Sequence, residues 1–151
     1  MSVLQEAKVL SSIPIFSRLD IKKLQLLVLS SERLVYRKDQ FLCRQGDPGN
    51  EAFVVISGEA DILVDAGDGP LKVATIGEHG IVGEMAILCD QPRSASVKTV
   101  SPTLETLKIE KREFLAFLRD NPEVALEVTR HLAERLMKTT QDLARVRELA
   151  S

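Results

Sequence analysis

Gly83-Glu84-Met85-Ala86-Ile87-Leu88 is followed, three residues later, by Pro92-Arg93-Ser94-Ala95-Ser96. Glycine lets a backbone approach a ligand closely, and the apolar run behind it suits a helical turn whose first N–H groups are free. Free N–H groups at a helix start favour an anion such as a phosphate. Arg93, arriving from the other side of the loop, offers a forked, charge-assisted contact to phosphate oxygens. Glu84 is an acceptor suited to a ribose hydroxyl, as an acid is in other nucleotide sites. One short segment thus contains an anion cradle, a counter-charge and a sugar acceptor, and a sugar phosphate fits that inventory.

Outward from this segment, between about residues 34 and 109, the chain reads as short β-like runs broken by turn residues. Leu34-Val35-Tyr36 and Phe41-Leu42-Cys43 flank the polar pair Lys38-Asp39, and Gln45-Gly46-Asp47-Pro48-Gly49-Asn50 is a dense turn signal. Phe53 to Ile56 and Ala60 to Val64 enclose Ser57-Gly58-Glu59, which predicts a hairpin. Asp65 to Pro70 is a second loop before Leu71 to Ile76. Ile76-Gly77-Glu78-His79-Gly80 is a turn, and Ile81-Val82 a short apolar entry to Gly83. Runs at Ala95 to Val100 and Leu104 to Ile109 complete about eight strands. Regular spacing of short strands predicts a sandwich or a jelly-roll barrel.

Both ends read as helical. Ile21, Leu24, Leu27 and Val28 recur at three- and four-residue steps behind Asp20, a suitable N-cap, and Pro14 divides residues 2–30 into two short helices. Lys111 to Arg119 forms one helix, Asn121-Pro122 punctuates, and Glu123 to Ala150 forms a long one with Pro122 in its first turn. Ala125, Thr129, Leu132, Leu136, Thr139, Leu143, Val146 and Ala150 alternate in steps of four and three, the spacing of a coiled-coil seam, which predicts dimerisation through this helix. A second stripe, Leu126, Ala133, Met137, Thr140 and Ala144, is expected to face the chain's own barrel. Arg130, Arg135, Arg145 and Arg147 read as a solvated face pairing with Glu127 and Glu134. His79 and His131 read as surface or capping residues.

The pattern Gly-Glu-x-Ala-x-Leu, a short gap, then Pro-Arg-Ser-Ala-Ser is similar to the signature of cyclic-nucleotide-binding domains. The resemblance extends along the chain: leading helices, strands, cassette and closing helices. It implies one domain over residues 1–151, mainly β with flanking helices. Its centre is an eight-stranded jelly-roll β-barrel of the double-stranded β-helix type at 34–109, with the cassette at 83–96. Helices are expected at 1–30 and 111–150. By resemblance, Glu84 accepts from the ribose 2′-hydroxyl and Arg93 pairs with the cyclic phosphate. The backbone of Gly83, Met85 and Ala86 cradles that phosphate, and Ser94 adds a hydroxyl. Gly46, Gly58 and Gly80 fall at turns where the family places glycine. From Asn121-Pro122 onward the chain resembles the dimerisation helix of the bacterial catabolite-activator (cyclic AMP receptor) group. Adjacent hydroxyl residues there contact adenine, one in its own pocket and one in the partner's; the matching positions are Thr139 and Thr140. The resemblance therefore implies a regulatory sensor for cyclic AMP, with cyclic GMP as the alternative ligand, that signals through movement of the C-terminal helix. That group continues into a helix-turn-helix domain, whereas this sequence stops at Ser151. The chain is therefore expected to make no direct nucleic-acid contact, whether it is a stand-alone sensor or a piece of a longer regulator.

Composition sets outer bounds. The 151 residues are 44% apolar and 28% charged, as in a globular domain with a sizeable core. A net charge of −2 supplies none of the clustered cations that non-specific nucleic-acid binding needs. No apolar run approaches the ~20 residues of a membrane span, and Met1 to Glu6 has no signal-peptide character, so a cytoplasmic location is expected. Cys43 and Cys89 form no CxxC pair and read as reduced core residues. Two separated histidines make a poor metal site, which weighs against a cupin-type metal enzyme of similar β architecture. No residue set resembles a phosphodiesterase or cyclase, so neither turnover nor a cofactor is expected. The remaining rival is a dimerisation or docking module that has lost nucleotide binding; Glu84 and Arg93 argue against it.

Overall fold

Eight strands form two four-stranded antiparallel sheets in the computed structural model, which describes residues 2–150. The chain begins with α1 (Val3–Ser11), a 3-10 turn (Pro14–Phe16) and α2 (Ile21–Leu29). Strands β1 (Glu32–Arg37), β2 (Phe41–Cys43), β3 (Glu51–Ser57), β4 (Ala60–Asp65), β5 (Pro70–Ile76) and β6 (Ile81–Val82) follow. Then come α3 (Glu84–Cys89), β7 (Ser96–Thr99), β8 (Thr103–Glu110), α4 (Lys111–Asp120) and α5 (Pro122–Ala150). The strand orders are β1-β8-β3-β6 and β2-β7-β4-β5, so each sheet mixes early and late strands, as the expected jelly roll requires. Met1 and Ser151 of the expected domain lie outside the described residues.

Local chemistry accounts for the boundaries. Ser2 and Gln5 form a capping box: the Gln5 N–H donates to Ser2 Oγ at 3.2 Å, and the Ser2 N–H donates to Gln5 Oε1 at 2.8 Å. Asp20 accepts from the Lys22 N–H at 3.2 Å and starts α2, while Pro14 opens the 3-10 turn that separates the helices. Gly58 makes the β3–β4 turn at φ +94°, where a Cβ would overlap the Thr103 carbonyl and lie 2.9 Å from Leu104 Cα. The strand region runs slightly beyond the expected limits, from Glu32 to Glu110.

Two apolar clusters hold the fold. Phe53, Val55, Val82, Val97 and Leu104 fill the space between the sheets. The opposite face of β3 and β8, with Val54, Ile56, Leu107 and Ile109, is covered by α1, α2, α4 and the start of α5. Phe16 and Phe117 meet edge-on at 5.9 Å in this second cluster. At its margin Arg33 of β1 bridges Glu6 of α1, at 3.0 Å, and Glu105 of β8.

Helix α5 departs from one expectation. Its packed face is Val124 and Val128, both buried, flanked by Ala125 and Leu132. The stripe expected to face the barrel does not: Leu126 and Met137 are 58% and 63% exposed. The physical reason is length, because 29 residues extend about 44 Å and outrun the surface available to cover them. Past Leu132 both stripes face solvent, including seam residues Leu136, Leu143 and Val146; the side chain of the last seam residue, Ala150, lies outside the described residues. Cys89 is likewise exposed at the end of α3 rather than in a core, and Cys43 is half-buried.

Candidate functional site

Strand β6 brings the chain to Gly83, whose φ of +88° lies in the left-handed region. A Cβ at this position would sit on the Arg93 guanidinium and 2.7 Å from the Glu51 carbonyl oxygen, so the close approach itself requires glycine. Glu84 is the first residue of α3 and is 3% exposed. Asp90, at φ 52°, ends the helix, and the chain returns through Pro92 to Arg93. Backbone pairs fix that return: the Arg93 N–H donates to the Asp47 carbonyl at 2.8 Å, and the Gly46 N–H to the Arg93 carbonyl at 2.9 Å.

The Arg93 guanidinium is 4% exposed and anchored on one side only. Nη1 donates to the Gly83 carbonyl at 3.1 Å; Nη2 donates to the Glu51 carbonyl at 2.7 Å and to Glu51 Oε2 at 3.2 Å. Nε has no partner. A buried, charged donor without an acceptor is costly, so the arrangement suits an anion that would supply one.

These groups surround a cavity of about 400 Å³, within the size range of small-molecule sites. The cassette residues expected to contact the ligand all line it: Gly83, Glu84, Met85, Ala86, Arg93 and Ser94. Ile62, Ala74 and Val97 form an apolar wall, and Ile13 to Ile15 approach from the N-terminal turn. Thr139 and Thr140 are not among the lining residues. Both are exposed on α5 beyond the cavity, and the Thr140 hydroxyl donates back to the Leu136 carbonyl at 2.8 Å.

Two residues of α5 enter instead, His131 and Arg135. Arg135 was expected on a solvated face; its Nη1 lies 3.3 Å from Glu84 Oε1. A solvated pair does occur earlier on the helix, between Arg130 and Glu127, at a spacing of three residues rather than the expected four. His131 and His79 are exposed, as expected of surface residues, and also line the cavity. A signal for the α5 pair was present: Val124, Val128, His131 and Arg135 recur in steps of four, three and four, so one row continues from packed apolar residues into the site. Following only apolar rows hides it.

Glu84 and Arg93 are not partners of one another in this arrangement; each has its own counter-charge, Arg135 and Glu51. Burial pushes the Glu84 carboxyl above its ordinary range, opposed by its own backbone N–H and by Arg135, His131 and Arg93. The site therefore presents a hydroxyl acceptor and a cation to one mostly apolar chamber. Among the described residues, no group of three or more His, Cys, Asp or Glu is placed to hold a metal ion, and no helix is long and apolar enough to cross a membrane.

Known proteins share this arrangement of sequence and fold. The chain is 25% identical over 138 residues to the CRP-like cAMP-activated global transcriptional regulator of Mycobacterium tuberculosis, an alignment covering 91% of this chain and 61% of the relative. It is 30% identical over 122 residues to a cGMP-dependent protein kinase of Eimeria tenella, covering 81% of this chain and 11% of the kinase. The crystal structure of the Thermus thermophilus catabolite activator protein superposes with a TM-score of 0.79 at 29% identity, over 88% of this chain and 62% of that one. The chain thus spans about three fifths of the bacterial regulators and a small part of the kinase. Residues 33–121, the barrel with its cassette and α4, match the family model for the cyclic nucleotide-binding domain, and the chain belongs to that family.

Proposed function

We propose that this chain is a regulatory sensor that binds cyclic AMP between barrel and cassette and reports occupancy through α5. The observation that carries the reading is a pair of buried groups lining one cavity: Arg93 with an unsatisfied Nε, and Glu84, whose carboxylate is met by Arg135. In the proposed complex the cyclic phosphate sits against Arg93, Ser94 and the backbone of Gly83, Met85 and Ala86. The ribose 2′-hydroxyl donates to Glu84.

The preference for cyclic AMP over cyclic GMP draws support from bacterial relatives, one named as cAMP-activated and another as a cyclic AMP receptor, and from the hydroxyl pair Thr139 and Thr140. In a single chain neither threonine lines the cavity, so base recognition through them requires a second copy or a displacement of α5. The solvent-facing seam of Leu136, Leu143 and Val146 supports a homodimer built along this helix.

Signalling follows from Arg135. It reaches from α5 to Glu84, so a ribose hydroxyl arriving at that carboxylate changes the attachment of the helix. Binding then shifts α5 to the degree that ligand affinity differs between its docked and loosened positions. The role proposed is regulatory rather than catalytic, in line with the cyclic nucleotide-binding domain family.

Calorimetric titration of nucleotide-stripped protein with cyclic AMP and cyclic GMP tests the reading. Micromolar or tighter binding, stronger for cyclic AMP, is expected. Preference for cyclic GMP overturns the assignment of Thr139 and Thr140. Binding of neither, with a stable dimer, replaces the sensor with a docking module.

A further inference from the structure

Strand β7 is short for its place in the sheet. It pairs with β4 in the register Asp61↔Lys98 and Leu63↔Ser96, and there the pairing stops. The same register, two residues on, would set Asp65 opposite Ser94. The chain instead leaves the sheet before Ser96, and that departure is what delivers Arg93 and Ser94 to the cavity. It should strip the end of β4 of its ladder partners.

The vacancy is filled by one side chain. Gln45 Nε2 donates to the Asp65 carbonyl at 3.1 Å, and the Asp65 N–H donates to Gln45 Oε1 at 2.8 Å. The carboxamide thus offers one donor and one acceptor to one residue, as a neighbouring strand does. The Gln45 backbone N–H donates to Ser96 Oγ at 2.8 Å, at the point where β7 begins. The next two residues, Gly46 and Asp47, make the two backbone hydrogen bonds that hold Arg93. Gln45 is exposed and does not line the cavity, so any influence on a ligand passes through its neighbours.

We propose that Gln45 is a positioning residue for the phosphate anchor: its carboxamide replaces the missing β7 residue beside Asp65 and so fixes the 45–47 loop that holds the Arg93 backbone. The role rests on the nucleotide-binding reading given above, and its test has one arm that needs no ligand.

The variant is Gln45→Met, which keeps length and loses both hydrogen bonds. In ligand-free protein, amide exchange followed by NMR should quicken about three- to tenfold at Asp65, Gly46 and Arg93, with β3 and β8 unchanged. Unchanged exchange at those three amides, or quickening throughout the chain, overturns the proposal whether or not the protein binds nucleotide. In titrations, affinities for cyclic AMP and cyclic GMP should fall by one common factor, about three- to tenfold, because the base is not involved. On an Arg93→Lys background the same substitution should cost less than about twofold, since its effect runs through the forked anchor. A full loss persisting on that background, or a loss confined to one nucleotide, overturns it. Failure of the unmodified protein to bind either nucleotide defeats the ligand reading alone and leaves the exchange arm to decide the positioning role.

Discussion

Replacing Arg93 by Met separates a ligand anchor from a structural ion pair. The guanidinium is almost fully buried, and its partner Glu51 is about one third exposed. Removing the cation deprives Gly83 and Glu51 carbonyls of a donor and leaves Glu51 without its counter-charge. Against this, the substitution abolishes a desolvated charge and its unpartnered Nε, and Glu51 can turn toward water. Methionine keeps an apolar stem near the Phe53 ring, which the guanidinium approaches at 5.9 Å. These contributions oppose one another, so the ligand-free stability of Arg93→Met should stay within about 1 kcal/mol of the unmodified chain in urea unfolding. Binding has no such cancellation. Truncating one side of a buried charge pair costs about 2–5 kcal/mol, so cyclic-nucleotide affinity should drop from roughly thirtyfold to several thousandfold in calorimetry. A stability loss above about 3 kcal/mol together with an affinity loss below tenfold would refute the reasoning and make Arg93 a structural residue.

Three further outcomes are expected. Burial raises the folded-state value of the Glu84 carboxyl above its ordinary range, so stability from its proton is complete below that range and is lost as pH rises through the raised value. Glu84→Gln should therefore stabilise the ligand-free chain at pH 7 and not at acid pH, while flattening a ligand affinity that otherwise rises with pH as the carboxylate forms; urea unfolding and titration across that window read both. Leu136→Asp combined with Leu143→Asp should convert a micromolar dimer to a monomer in sedimentation, and an unmodified chain that sediments as a monomer removes the seam as an interface. Gly58→Ala should cost about 2 kcal/mol or more in urea unfolding, from its positive φ and its overlap with β8, and a loss under 0.5 kcal/mol would contradict that turn geometry.

The parts of the site that lie close together in sequence were legible there. Gly83, Glu84 and Arg93 fall within eleven residues, and their residue types state their chemistry directly. The strands were legible because Gly58 and the Asp65 to Pro70 loop punctuate them, and the division between the two N-terminal helices because Pro14 interrupts them. Arg135 was hidden for a physical reason. A charged residue on a long helix reads as solvated unless the helix is known to meet a buried carboxylate, and Glu84 is 51 residues away in sequence. Glu51 was hidden in the same way, since its pairing with Arg93 depends on how β3 crosses behind the cassette. The misread stripe of α5 has a different origin. Leu126 and Met137 have the right periodicity for burial, but periodicity says which residues share a face, not whether anything covers that face.

Among the described residues, the apolar packing of helix α5 lies near its beginning, at Val124, Val128 and Leu132, and Arg135 meets the cassette one turn further on. The remaining turns extend about 27 Å past Leu132. In the proposed signalling such a rod would act as a lever with its fulcrum beside the cavity: a tilt of about 10° at the root would sweep the far end through roughly 5 Å. A change of a few tenths of an ångström where Arg135 meets Glu84 would thereby be enlarged mechanically, without any bond in the outer helix having to break. The gain of the proposed lever is set by the number of turns beyond the fulcrum, so shortening the rod should weaken the output while leaving the cavity as it was.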